Sequence, residues 1–522
     1  MSAPTATAPA TEPMSHRQIM EALSGLLLVL FVAMISATIV SVALPQIVGA
    51  LKGTQSQYTW VVTASLLAST ASTPIWGKLA DLFSKKLLLQ ISIGIFMVSS
   101  LACGFAQDTA QLITFRAVQG LGMGALQVLV QVIIAAMISP KDRGKYNGYL
   151  GGVMAVATVA GPLLGGLIAD TSWLGWRWCF FVAVPFTVIA FFMLQKTLKV
   201  VSVRRPDVKI DYVGATLIAA GVSVILIWVT FVGNSFDWLS WQTGAMVGGG
   251  VLLLALATLV ESKVKEPVVP LHVIRRRTPA LAIVASLAVG MAMFGGSVFL
   301  GQYFQTGRGF SPTEAGLLTI PMMLGVLISS TITGRMISRS GRIKPYIVVG
   351  SLVLTVGFLV LSTTDHQTPI PLMMAAMLLV GSGVGMTMQN LVLAVQNTVP
   401  LRELGAASGA ITFFRSLGGT IGVSVLGAVL ANHVASGISE GLAKAGIDPS
   451  KAGASAGTLD IAALPEPFKG IVTTAYGDAT GHIFLISAAI SVIGVVAALF
   501  LKPVTLRDSV DLPAPSQKEP VA

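Results

Sequence analysis

Long apolar runs, each broken by a short connector rich in glycine, polar or charged residues, repeat along nearly the whole chain. A bilayer's hydrocarbon core is about 30 Å thick and takes roughly 20 helical residues to cross. That length predicts fourteen spanning helices, near residues 22–44, 58–78, 87–106, 111–138, 145–169, 177–197, 211–233, 240–261, 280–304, 313–335, 345–363, 370–395, 405–432 and 480–501. An even number places both termini on one side. Residues 1–20 are rich in Pro, Ala and Thr and are expected to be disordered. The first apolar run lacks a small-residue cleavage site and is expected to remain as a helix. The fold class is therefore all-α and polytopic, with the lipid bilayer as its solvent.

Composition agrees. Of 522 residues, 54% are hydrophobic and 11% charged, against about 25% charged in a soluble domain. Mean hydropathy is +0.81. The net charge of +11 would suggest nucleic acid in a soluble protein. Here, with the N-terminus inside, 25 of the 33 Lys and Arg residues fall in cytoplasmic segments, six outside and two, Arg116 and Arg415, within helices. Topology accounts for that excess, and no nucleic-acid partner is expected. The two cysteines, Cys103 and Cys179, lie at the ends of apolar segments with no disulfide or metal spacing. No metal and no cofactor is expected.

The connector "GKLADLFSKK" (77–86) is the exception to the grease around it, with Asp81 among Lys78, Lys85 and Lys86. "GRMISRSGR" repeats it from Gly334, a shift of 257 that also takes Gly148 to Gly405, Gly152 to Gly409, Gly161 to Gly418 and Gly165 to Gly422. One constant shift implies two halves built alike, running in the same direction, with segments seven and eight inserted between them. Parallel halves around a central site are a transporter architecture. The expected domains are a cytoplasmic N-terminus (1–20), a six-helix lobe (21–200), the inserted pair with its flanking loops (201–278), a second six-helix lobe (279–502) carrying an outer loop at 433–479, and a cytoplasmic tail (503–522).

Charge inside a span is expensive and marks function. Arg116, Gln119, Met123, Gln127 and Gln131 recur at helical spacing and form one polar stripe, expected to face a cavity. Arg415 is the second buried cation. None of the 22 acids sits near the middle of a span; Asp170, Asp211, Glu261, Glu314 and Asp478 are at helix ends. Glu314 in "SPTEAGL" reads either as a proton-titrating group tuned by burial or as the acid of a capping box, and Asp170 is a further candidate for proton coupling. His272, His366, His433 and His482 fall in loops or at ends and are expected to be solvated. Phe294, Gln302 and Tyr303 crowd one span, and Met386, Gln389 and Asn390 another. Flexible methionine suits varied ligands. A pore offering arginine, amides, aromatics and methionine, without a mid-membrane acid, points to neutral or anionic amphiphiles.

With these residues in view, a resemblance becomes specific. "GKLADLFSKK" resembles the loop 2–3 signature of the major facilitator superfamily, with Ser84 where a second glycine is usual. "RAVQGLGMGA" from Arg116 resembles its helix-four motif, "GPLLGG" from Gly161 the helix-five motif of its antiporters, and "TIVSVALPQI" from Thr38 the helix-one motif of its drug exporters. Fourteen helices with a central extra pair are similar to the QacA/EmrB-like drug:proton antiporters. The resemblance implies a major facilitator fold of two six-helix lobes plus two inserted helices. It also implies a latch at Gly77, Asp81, Lys85 and Lys86 that stabilises the outward-facing state, a seal at Gly161, Pro162, Gly165 and Gly166, and proton coupling through Arg116. Related exporters often carry Asp where this chain has Ser36, which leaves the proton carrier open and places Ser36 among the candidate cavity residues.

The expected function is proton-driven export of hydrophobic compounds from a bacterial cell by a monomer in the inner membrane. The alternative is a dedicated exporter of one endogenous metabolite or lipid, on the same fold. A membrane enzyme would want a convergent catalytic set or a nucleotide-binding loop, and neither is found. A channel fits the repeat and the helix-five motif less well than alternating access does.

Overall fold

Polar residues at the connectors act as caps, and those caps decide where the helices start. The computed structural model describes residues 16–52, 55–171, 174–198, 211–233, 236–264, 267–269, 271–310, 312–445, 468–503 and 506, and every long element among them is helical. α1 (His16–Ala50) is followed by α2 (Gln55–Leu82), and Ser84 then caps α3 (Lys85–Phe105) by accepting from the Leu87 amide. Asp108 caps α4 (Thr109–Met137), and Ser139 caps α5 (Pro140–Asp170), where Pro140 occupies the first turn and no amide donor is lost. α6 (Trp178–Thr197) completes the first half. α7 (Tyr212–Phe231) and α8 (Trp241–Glu261) are capped by Asp211 and Ser240. α9 (Arg277–Gln302) runs into a π-helical turn at Tyr303–Gly307. A short helix, Pro312–Leu318, precedes α10 (Ile320–Ser340), which ends at Gly341 with φ 67°, the left-handed cap that glycine adopts without strain. α11 (Lys344–Leu361), α12 (Ile370–Gln396), α13 (Leu404–Lys444) and α14 (Phe468–Phe500) complete the bundle.

Twelve of these helices are long and apolar enough to cross a membrane. α2 and α5, with 28 and 31 residues, are not among the twelve. α2 has charged residues near its end and α5 at both ends, and both carry many small residues, yet each packs within the bundle, α2 on α4 and α5 on α1. The architecture is the expected all-helical one.

The packing repeats eight helices on. α1–α5, α1–α6, α2–α4, α3–α4 and α3–α6 recur as α9–α13, α9–α14, α10–α12, α11–α12 and α11–α14. Two seams join the six-helix lobes, α2 against α13 and α5 against α10. α7 and α8 pack on each other, and α7 leans on both α2 and α13, burying Ala215, Ile218 and Val222 with Ala71 and Phe413. α8 is peripheral, with Val251, Leu252, Leu256 and Leu259 exposed. On α3, exposed Leu87, Ile91, Val98 and Phe105 make one apolar stripe, a surface suited to lipid and a liability in water.

Several boundaries differ from expectation. α1 begins at His16, inside the segment expected to be disordered; residues 1–15 lie outside the described residues. α13 continues to Lys444 and α14 begins at Phe468, so both ends of the expected loop 433–479 are helical, while 446–467 lie outside the described residues. At 1.5 Å per residue, the 41 residues of α13 extend about 60 Å, twice the hydrocarbon core, so apolarity alone understated its length. The repeat offset is also corrected. Gly77 and Asp81 face Gly405 as Gly334 and Ser338 face Gly144. The α2-to-α10 shift is thus 257, but the α5-to-α13 shift in these contacts is 261, about one helical turn more.

Close backbone approach at the α2–α13 seam requires glycine. A Cβ on Gly77 would lie 2.5 Å from the Gly405 carbonyl oxygen, and one on Gly405 would strike Gly77 and Asp81. Gly405→Ala is expected to lower the thermal unfolding midpoint in detergent, an overpacking effect of about 1–3 kcal/mol. Gly94→Ala, where a Cβ meets nothing within 4 Å, should leave the midpoint unchanged or raise it. Equal midpoints for the two variants would contradict the tight seam.

Candidate functional site

α13 starts without a cap of its own. Glu403, at the N-cap position, makes no side-chain bond to the helix amides. Asp81 fills that role from the other lobe. Its Oδ1 accepts from the Gly405 amide at 2.7 Å and its Oδ2 from the Ala406 amide at 2.8 Å, and the side chain is only 8% exposed. A carboxylate on a helix N-terminus meets unsatisfied donors and the positive end of the dipole together. Of the residues grouped with it by sequence, Gly77 provides the space, while Lys85 acts on Asp81 through its charge, as Lys78 also does. Lys86 does not cross the seam; its Nζ donates to the Gln195 carbonyl at 2.6 Å, within its own lobe. In the second half Ser338 stands in the place of Asp81, and its buried hydroxyl has no hydrogen-bond partner.

A second crossing was not singled out from sequence. Arg143, counted there as one more loop cation, is 4% exposed. Its Nε donates to the Ile138 carbonyl at 2.8 Å, one terminal nitrogen to the Ala135 carbonyl at 2.5 Å and the other to Gln396 Oε1 at 2.9 Å. Gln396 Nε2 then donates to Ser408 Oγ at 2.9 Å. This chain ties α4 and α5 of the first lobe to α12 and α13 of the second, at the same end of the bundle as Asp81. The neighbour of Arg143, Asp142, pairs with Lys145 at 2.7 Å.

The polar stripe on α4 turns partly inward to its own lobe. Arg116, 4% exposed, donates from Nη1 to Gln119 Oε1 at 2.6 Å and from Nε to the Val61 carbonyl at 3.4 Å, and Gln119 Nε2 donates to Ser100 Oγ at 2.8 Å. Its compensation comes from an amide and a backbone carbonyl of α2. Gln119 is therefore enclosed between α3 and α4. Met123 takes a hydrogen bond from Ser65. Gln127 and Gln131 are half-buried. Arg415 is 5% exposed, lies against Gly290 of α9, and has Nη1 without a partner.

In "GPLLGG", a Cβ on Gly161 would collide with Thr38 and one on Gly165 would lie 2.8 Å from the Ile39 carbonyl oxygen, so both serve the close α1–α5 contact. The side chains of Pro162, Gly166 and Asp170 lie outside the described residues. Among the other candidates, Ser36 on α1 is buried with an unpartnered hydroxyl. Gln389 on α12 reaches Met154 of the first lobe at 4.0 Å, while Asn390 donates to the Met386 carbonyl. Phe294 and Gln302 stay partly accessible. Tyr303 does not: it is buried, its hydroxyl donating to the Asp365 carbonyl at 2.7 Å and accepting from Arg308 at 3.0 Å. Glu314 is exposed in the first turn of Pro312–Leu318. His272, His433 and His482 are exposed, with His433 lying against His482, and half-buried His366 bonds Asp478 at 2.8 Å.

Two like six-helix lobes, tied at one end by a carboxylate and an arginine, have the build of a membrane transporter. Comparison with known proteins agrees. The Major Facilitator Superfamily profile matches residues 26–423, and the chain belongs to that family: it is a multi-pass membrane transporter, not an enzyme. It is 32% identical over 509 residues to the multidrug transporter protein MdtP of Bacillus subtilis, covering 93% of each chain. It is 35% identical over 477 residues to an uncharacterized MFS-type transporter of Mycobacterium tuberculosis, covering 91% of this chain and 68% of the relative. It is 32% identical over 492 residues to the efflux pump dotC of Dothistroma septosporum, covering 93% and 83%. Similar solved structures include the proton:xylose symporter XylE, with a TM-score of 0.61, 14% identity and coverage of 94% and 97%. The human organic anion transporter MFSD10 has a TM-score of 0.58, 14% identity and coverage of 91% and 99%.

Asp81→Asn keeps the volume but turns an amide N–H₂ toward backbone donors. Loss of charge-assisted bonds of about 1.5–3 kcal/mol should shift the seam toward its parted state by roughly 10- to 100-fold. Spin labels placed across α2 and α13 should report a new, longer distance in that variant. Arg143→Gln should part the lobes in the same sense. An unchanged distance distribution in both variants would contradict the role given to these bonds.

Proposed function

We propose that this transporter exports hydrophobic compounds, neutral or anionic amphiphiles, across a bacterial cell membrane by alternating access, driven by the proton gradient and acting as a monomer. The observation that carries the substrate class is the charge inside the lobes. Arg116 and Arg415 are both more than nine-tenths buried, and neither hydrogen-bonds an acid among the described residues. On α9 and α13, the helices that hold Arg415, the hydroxyls of Ser286 and Thr412 are also buried without partners. A guanidinium with a free donor in a low-dielectric interior favours an anionic or strongly polar headgroup. The names of MdtP and dotC support export of drugs or small molecules in general.

In this reading the lobes 21–200 and 279–502 rock about the central space, with 201–278 as the inserted pair and 433–479 at the outer face. The Asp81 end is cytoplasmic, supported by the concentration of Lys and Arg at that end. Asp81 on α13 is the latch of the outward-facing state, and it parts when the cytoplasmic side opens. The tight α1–α5 contact at Gly161 and Gly165 is the seal against leak. Glu314, Asp170, Arg116 and Arg415 are the proton-coupling candidates carried forward from the sequence.

Reconstituted protein with an imposed proton gradient tests this directly. Anionic amphiphiles should move with proton release, and quaternary ammonium compounds should move poorly. Arg415→Ala should lower anion transport about tenfold, the equivalent of one lost bond of roughly 1.4 kcal/mol, with a smaller effect on neutral substrates. Wild-type proton release in both Glu314→Gln and Asp170→Asn would remove these acids as obligatory carriers. Active export without any proton release in the parent would overturn the antiport reading.

A further inference from the structure

We infer that Asp211 and Glu261, at the foot of the inserted helix pair, hold one proton between them and form a protonation site beside the α2–α13 seam. Asp211 immediately precedes α7 and Glu261 is the last residue of α8; both are more than nine-tenths buried. Glu261 is held by two backbone donors, the Val268 amide to Oε1 at 3.0 Å and the Val269 amide to Oε2 at 2.9 Å. Asp211 Oδ1 caps α7 by accepting from the Gly214 amide at 2.8 Å. Its other oxygen, Oδ2, is buried with no hydrogen-bond partner.

That orphaned oxygen faces the second carboxylate. A Cβ on Gly214 would collide with Asp211 Oδ2 and lie 2.6 Å from Glu261 Oε1. The two oxygens therefore flank one glycine, inside the separation of about 4–6 Å at which like charges oppose each other's ionisation. A buried carboxylate oxygen with no donor is costly in itself. One proton held by the pair relieves both conditions and leaves a single negative charge. A metal cation would want six or more oxygen ligands, and among the described residues only one carboxylate oxygen here is uncommitted.

Among the described residues, the charged groups that act on Glu261 are Asp211 and Lys78 of α2. On α13, Arg415 lies instead against Gly290 of α9. Lys78 is shared, because it also acts on Asp81. Loss of the proton adds a second negative charge within reach of Lys78, offsetting the cation's action on Asp81 and weakening the arrangement that holds α2 to α13. This coupling rests on the transport reading above; the protonation site itself does not.

Infrared difference spectroscopy of the full-length protein in lipid follows the carbonyl stretch of protonated carboxyl groups as pH is raised. The parent should show such a band at neutral pH, and it should vanish on titration. The band should be lost in Asp211→Asn and in Asp211→Ser, both of which keep a good cap for α7. In the same two variants the distance between labels on α2 and α13 should no longer depend on pH. Absence of the band in the parent, or its persistence in both folded variants, overturns the site. Displacement of the band by sodium or magnesium at fixed pH would assign the pair to a metal cation and overturn the proton assignment. None of these readouts needs transport, so failure of the site and failure of the export reading are distinguishable.

Discussion

A helix that begins inside a bundle leaves amide donors that water cannot reach. α13 is such a helix, and Asp81 of the opposite lobe is what its first amides bond. The rest of the seam follows from that bond. The carboxylate reaches Gly405 and Ala406 only because α2 and α13 touch backbone to backbone, and they touch because Gly77, Gly405 and Gly409 have no side chains to separate them. The bond joins the lobes and not two parts of one lobe. Polar bonds of this kind are directional and can be exchanged for water when the seam opens. A large hydrophobic contact in the same place would hold the lobes shut.

Arg143 completes the same end by a different route. Its guanidinium is spent on two carbonyls of its own lobe and one amide of the other, so it fixes the end of α4 and the start of α5 as well as linking them to α12. The two halves are not chemically equivalent at their seams. Asp81 in the first half is matched by Ser338 in the second, whose hydroxyl faces Gly144 without a partner. One seam is bridged by a carboxylate and the other is packed with small residues, so the two differ in chemistry even though the helices are arranged symmetrically.

The inserted pair is placed to influence that chemistry. α7 rests on both members of the α2–α13 seam, and Lys78 lies within electrostatic reach of Asp81 on one side and of Glu261 on the other. Buried ionisable groups in a low-dielectric setting are strongly coupled, so charge changes at the foot of α7 and α8 are felt at the seam without any large displacement.

Local sequence determined much about this protein. The apolar runs set the all-helical membrane class, because lipid forces every backbone group to bond within its own helix. The connector "GKLADLFSKK" identified Asp81, and the single charges inside spans identified Arg116 and Arg415, because a charge among apolar residues stands out in one dimension. What sequence left open are relations between distant segments. Nothing local says that Asp81 caps a helix 324 residues away, that Arg143 is buried against Gln396 and not solvated in a loop, or that Gln119 turns to Arg116 and Ser100 inside its lobe. α13 and α14 also run on past the apolar spans, to Lys444 and from Phe468, through small and polar residues whose helicity apolarity alone does not signal. The pairing of Asp211 with Glu261 belongs here too, since their 50-residue separation carries no sign that both converge on Gly214. Sequence marked the charges set among apolar residues, and tertiary structure alone decided which further charges are buried and which partner makes each burial tolerable.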